Sequence, residues 1–225
     1  MSLLKDTCKG VMVPVSSEGY NIIIITSILT VILTALSSTA GTIGLVFLLF
    51  TIYFFRNPKR VPPDSETAIV APADGTVDAI GEAAPPPELE LDENKKWTRI
   101  SIFLSIFNVH TQKIPFSGAI TKLNYRPGEF FNAAADKYSA DNERQSCVLE
   151  TDGGLQIPIV QIAGLIARRI VCDLNIGQRV ERGAVYGIIK FGSRVDIYLP
   201  EGIAPLVKVG QTMIGGESVI ANASY

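Results

Sequence analysis

The chain is 225 residues long and carries 20 Lys and Arg against 22 Asp and Glu, a formal charge of −2. That length has room for one membrane segment and one compact domain of about 160 residues. The near balance of charge gives no footprint for nucleic acid, and three scattered cysteines, Cys8, Cys147 and Cys172, with no CxxC pair, argue against a disulfide framework or a zinc site.

No charged residue occurs from Gly19 to Phe55, and Ile22 to Phe55 is almost wholly apolar. As one helix its 34 residues would reach about 50 Å, well past a hydrocarbon core of about 30 Å. The small-residue run Leu36–Thr42 interrupts it, so the pattern predicts two short helices, Ile22–Leu36 and Ile43–Phe55, folded as a hairpin. Lys5 and Lys9 precede the run and Arg56, Lys59 and Arg60 follow it, which places both flanks in the cytoplasm. A cleaved signal peptide is the competing reading, but cleavage would expose a second apolar run.

Arg56–Pro63 is basic and proline-rich, an expected stiff connector lying near anionic headgroups. The domain boundary is set here, with residues 1–63 as anchor and connector and 64–225 as the soluble domain. Beyond it, short β-type runs recur between Gly, Pro, Asn and Asp. Strands are expected at Ala68–Ala71, Gly75–Ile80, Thr98–Phe107, Gly118–Tyr125, Ser146–Thr151, Leu155–Ile162 and in a series from Arg169 onward. The Pro- and Glu-rich Ala83–Lys96 reads as a solvated excursion, and the polar Asn132–Gln145 as a loop beside a binding site. An internal echo pairs Ile176–Gly183 with Val207–Met213, each a strand, a Gly turn and a return. The expected fold is mainly β and barrel-sandwich-like, behind an α-helical membrane hairpin.

Chemistry-bearing residues stand at three places: Pro72-Ala73-Asp74-Gly75, Asn108-Val109-His110 with Lys113 soon after, and Phe191-Gly192-Ser193 between two strand-like runs. Each alone has a plain reading, a Pro-x-Asp-Gly turn, a packed histidine and a Gly-Ser hairpin turn. His110 is the sole histidine, so imidazole chemistry near neutral pH has one candidate. Together the three motifs resemble the phosphatidylserine decarboxylase family in its short form. Tyr125-Arg126-Pro127-Gly128-Glu129-Phe130 and Asn142-Glu143-Arg144 extend the resemblance in order along nearly the whole chain.

The resemblance implies self-cleavage between Gly192 and Ser193, assisted by Asp74 and His110, into a β chain and an α chain. It also implies a covalent pyruvoyl group made from Ser193, a phospholipid substrate at the membrane, and a homodimer. Longer members carry a second histidine where this chain has Lys113. A serine hydroxyl needs a nearby base to attack the preceding carbonyl, and an aspartate to orient that base. Gly192 leaves the carbonyl uncrowded. A ketone at the α-chain terminus can take up the electrons released as CO2 leaves. Lys113, Asn142 and Arg144 are the expected contacts for substrate carboxylate or phosphate. Two other readings stand beside this one: a decarboxylase of another serine-headed lipid such as archaetidylserine, and a non-catalytic, membrane-anchored barrel-sandwich adaptor.

Overall fold

The computed structural model describes residues 13–92, 94–128, 142–164, 169–190 and 193–223. By its contacts the chain divides into two units, residues 1–59 and 60–225. The first holds α1 (Tyr20–Leu36) and α2 (Ser38–Phe54). Ser37 alone breaks them, in an extended conformation at φ −163° and ψ 141°. The interruption is thus shorter than the small residues suggest, and Ser38–Thr42 joins the helix because small side chains serve packing there. A Cβ on Gly41 would come within 2.8 Å of the Thr34 Cα, so the glycine lets two backbones approach, as small residues do between membrane helices. The helix with its preceding turn, Ser17–Leu36, is long and apolar enough to cross a membrane.

The second unit is mainly β, with a sheet curled into a half-barrel. Its strands are β1 (Ala68–Val70), β2 (Gly75–Glu82), β3 (Trp97–Leu104), β4 (Thr111–Lys113), β5 (Gly118–Arg126), β6 (Arg144–Glu150) and β7 (Gln156–Ala163). There follow β8 (Ile170–Cys172), β9 (Arg179–Val180), β10 (Val185–Ile189), β11 (Ser193–Pro200), β12 (Thr212–Met213) and β13 (Val219–Asn222). The large sheet has the order β12-β2-β3-β11-β7-β6-β5-β9, while β4-β10-β8 and β1-β13 form smaller ones.

This order reads as two copies of one plan meeting at β11 and β7. In each copy a Pro-x-x-Gly turn opens a long strand, Pro72–Gly75 before β2 and Pro115–Gly118 before β5. Both strands bulge at the same place, between Val77 and Ala79 and between Ile120 and Lys122. The echo at the two glycine turns is part of the same repeat. Gly177 and Gly210 take φ of 83° and 87°, and each hydrogen-bonds the opposed strand, to Ile120 O and Val77 O. Gln178 and Gln211 close their turns alike, each side chain accepting from a backbone N–H three residues back.

Strand alternation puts Ser193, Val195, Ile197 and Leu199 on the inner face of β11 and Arg194, Asp196 and Tyr198 on the outer. Both faces are buried. The outer face packs Trp97, Val160, Ile162 and Tyr198 together, and Ala84–Pro87 borders a cavity of about 300 Å³ with Arg99, Arg144, Arg194 and Asp196. Residues 83–91 are therefore a cover, where solvation was expected, while Asp92, Asn94, Lys95 and Lys96 are exposed. Leu89 is fully buried, Glu88 pairs with Arg144, and Lys122 Nζ donates to the Leu89 and Glu90 carbonyls. A strand buried on both faces needs such a cover, and β11 is one.

Candidate active site

Ser193 opens β11, where it pairs with Leu104 of β3 on one side and Ala163 of β7 on the other. Its side chain is fully buried, and its hydroxyl has no hydrogen-bond partner among the described residues. Leaving a buried hydroxyl unsatisfied costs about 1–3 kcal/mol, which marks the position for explanation. The strands on either side, β10 and β11, do not pair with each other as the arms of a Gly-Ser hairpin would. β10 pairs with β4 and β8, whereas β11 lies in the large sheet, so the link between them crosses from one sheet to another. Gly192 itself, like Glu129 and Phe130, lies outside the described residues.

His110 follows a turn in which Asn108 Oδ1 accepts from the Ser105 N–H and hydroxyl at 2.9 and 2.8 Å. The expected strand Thr98–Phe107 ends earlier, at Leu104, because this turn satisfies its own backbone locally. His110 is fully buried, and its Nδ1 lies 2.9 Å from the Asn108 carbonyl. A carbonyl only accepts, so Nδ1 carries the proton and Nε2 is the basic nitrogen of the neutral ring. Gln112 Nε2 donates to the His110 carbonyl at 2.7 Å, and Gln161 Nε2 to Gln112 Oε1 at 3.0 Å. Gln161 lies two residues before Ala163 on β7, so this buried amide chain ties His110 to the strand that pairs with Ser193.

Asn142 is fully buried and donates from Nδ2 to the Ala163 carbonyl at 2.9 Å, one strand from Ser193. Arg144 is differently engaged. Its guanidinium grips Glu88 through Nε and Nη2 at 2.6 and 2.7 Å, and Ser146 Oγ joins at 3.1 Å. Burial works to raise the Glu88 carboxyl, but Arg144 and these hydrogen bonds outweigh it and hold its pKa below the usual value.

Asp74 lies at the start of β2. Thr76 and Arg194 share Phe103 as partner, so β2 and β11 are two strand spacings apart, about 10 Å. The carboxylate accepts from Gly215 N at 2.8 Å through Oδ1 and from Arg60 Nη2 at 2.7 Å through Oδ2. Arg60 thus turns inward, whereas its place in a basic connector suggested a headgroup contact. Lys113 joins the same cluster with only 3% of its surface exposed. Burial first, then the charge of Arg60, push its amine down to about 8 against the opposing pull of Asp74 and Glu217. The two Pro-x-x-Gly turns, visible in the sequence, are the signal that could have located this cluster. No comparable pattern announces Gln112, Gln161 or Glu88. Among the described residues no group of His, Cys, Asp and Glu is arranged to hold a metal ion.

The sequence model of the family described as phosphatidylserine decarboxylase matches residues 47–221. A phosphatidylserine decarboxylase proenzyme of Rickettsia felis is 52% identical over 205 residues, covering 91% of this chain and 88% of that protein. One from Granulibacter bethesdensis is 53% identical over 174 residues, covering 77% of this chain and 71% of that protein. With a match of this extent, the chain belongs to the phosphatidylserine decarboxylase family, a family of decarboxylating enzymes.

Proposed function

We propose that the chain is a proenzyme that cleaves itself between Gly192 and Ser193, and that the product converts phosphatidylserine to phosphatidylethanolamine. The observation that carries this reading is the Ser193 hydroxyl, buried and unpartnered among the described residues at the head of a central strand. Such a hydroxyl is costly in a finished structure and suited to a reacting one. His110 Nε2 takes its proton as Oγ bonds to the Gly192 carbonyl carbon. The C–N bond then breaks, leaving an ester and a free amine on residue 193. Removal of the Ser193 α-proton expels the Gly192 carboxylate and leaves dehydroalanine, which water converts to a pyruvoyl cap with loss of ammonia. Asp74 assists from beyond β3, together with the Arg60 that it binds, and not by touching the hydroxyl.

The inner face beside Ser193 suits such a group, since Ala163 is small and Gln161 and Asn142 bring amides. The pyruvoyl carbonyl supplies the electron sink for loss of CO2. His110 is then assigned to deliver a proton and Lys113 to hold the substrate carboxylate, with Asn142 as a further polar contact. Arg144, committed to Glu88, is assigned to holding the cover formed by residues 83–91. A diacyl lipid leaves a bilayer at a cost of about 0.8 kcal/mol per methylene, so a membrane-associated enzyme with its domain in the cytoplasm fits this substrate. A homodimer accords with the family resemblance. Membership in an enzyme family disfavours the adaptor reading. An ether-linked serine lipid would present the same headgroup.

Intact-mass measurement of the purified protein beside Ser193→Ala tests the reading. Two fragments meeting at 192/193, the second with a blocked pyruvoyl terminus, are expected only with serine present. One unbroken chain in both samples would overturn it. Release of CO2 from phosphatidylserine and from archaetidylserine then identifies the lipid.

A further inference from the structure

The paired turns of the repeat show what Asp74 is not needed for. In the second copy, Ser117 Oγ accepts from Arg182 N at 3.0 Å. In the first, Asp74 Oδ1 accepts from Gly215 N at 2.8 Å, and Gly215 stands in its loop where Arg182 stands in the other. A serine hydroxyl therefore suffices to lock this turn. The carboxylate adds a charge and a second oxygen, and that oxygen receives Arg60 at 2.7 Å with both side chains 14% exposed.

Arg60 is itself firmly placed. Val61 N donates to Glu217 Oε1 at 3.1 Å. Arg182 Nη2 donates to the Pro63 carbonyl at 2.9 Å, and its Nη1 to the Ser65 and Ala68 carbonyls, the latter at 2.8 Å. Residues 60–68 thus form a strap fixed along its length, and Arg60 is where the strap meets the residue expected to assist cleavage. Lys113 lies against the same place. A Cβ added to Gly216 would stand 3.3 Å from Arg60 Cβ and 3.4 Å from Lys113 Cγ.

We propose that Arg60 is a positioning residue of self-cleavage that acts through Asp74, so that the strap entering the domain is part of the processing site. This rests on the function proposed above. The charge-assisted pair fixes the plane of the carboxylate, and with it the direction of the field at the end of β2 and β3.

The test follows the rate of fragment formation in detergent for the wild type, Arg60→Gln, Arg60→Lys, Asp74→Ser and the double variant Arg60→Gln/Asp74→Ser. Asp74→Ser keeps the turn lock as Ser117 does and removes the charge. Arg60→Gln is expected to cleave about tenfold more slowly, the rate equivalent of one such hydrogen bond. Arg60→Lys should recover part of that loss, and the double variant should be no slower than Asp74→Ser alone. Arg179→Ala, which removes an exposed ion pair with Asp152, should cleave as the wild type does. Arg60→Gln cleaving at the wild-type rate would overturn the proposal, and so would multiplying effects in the double variant, which mark two independent roles. If Arg60→Gln does not fold, Arg60→Lys against Asp74→Ser carries the comparison, with a loss in Arg60→Lys smaller than that in Asp74→Ser expected, and either no loss or an equal loss overturning it. A wild type that remains one chain refutes self-cleavage itself, a different result read from the wild-type sample alone.

Discussion

Replacing Asp196 by Ala should be among the most damaging single changes on β11. Arg194 Nε and Nη2 meet the two Asp196 oxygens at 2.8 and 2.7 Å, and the side chains are 1% and 2% exposed. Removing the aspartate leaves a guanidinium without its counter-charge in a place water scarcely reaches, which costs about 3–5 kcal/mol. For a domain of this size that lowers Tm by roughly 10 °C. Urea unfolding in the Ser193→Ala background keeps the chain whole and permits two-state treatment. Trp97, the sole tryptophan, packs with Tyr198 on the same outer face and reports the change by fluorescence. The double variant Arg194→Met/Asp196→Leu should recover most of the loss, because an apolar pair of similar volume removes charge and counter-charge together. Arg179→Ala is the contrast, at about 0.5 kcal/mol or less. A loss under about 1 kcal/mol for Asp196→Ala would refute the reasoning, since the pair would then be solvated.

Gly75→Ala should disrupt the start of β2, because its Cβ would stand 2.2 Å from the Phe103 carbonyl oxygen at φ 156°, whereas Gly154→Ala at φ 77° meets nothing within 4 Å and costs about 1 kcal/mol of backbone strain; thermal unfolding separates them. Lys113 has a folded pKa of about 8, below its ordinary 10.5, so between those values the unfolded chain binds more protons and stability rises with pH. Urea midpoints at pH 8 and pH 10 should show that rise in the parent and a flatter response in Lys113→Met. Burial pushes the Cys147 thiol far up, so alkylation at pH 8 should spare it in the native protein and label it in urea, as peptide mapping would show.

The sequence made the strands of the large sheet legible because Thr98–Leu104 and Ser193–Pro200 alternate or run continuously apolar between turn residues. It hid β4, three residues long and polar, whose pairing comes from β10 and not from its own pattern. Ala83–Lys96 misled for a related reason: proline and glutamate look solvated until Arg144 and Lys122, distant in sequence, supply partners. The site divides the same way. Ser193, His110 and Asp74 stand in recognisable local motifs, but Arg60, which composition assigns to the membrane surface, binds Asp74 fourteen residues away.

The repeat also bears on what cleavage before Ser193 would do to the fold. In the second copy β6 runs into β7 through a tight turn, where Leu155 N meets Thr151 Oγ at 3.1 Å and Thr151 N meets the Leu155 carbonyl at 2.9 Å. Ser193 occupies the position of Leu155 in the first copy, opposite Leu104. A chain break there opens a connection between sheets and leaves each sheet whole. The segment from residue 193 onward is held at three separate places: β11 between β3 and β7, β12 on β2, and β13 on β1. Separating it would expose both buried faces of β11, including Val195, Ile197 and Leu199. The processed fragments should therefore copurify through affinity and size-exclusion steps and part only in denaturant, at the same urea concentration that unfolds β11 by Trp97 fluorescence. Loss of the smaller fragment under native conditions, while the larger stays folded, would contradict this account of the break.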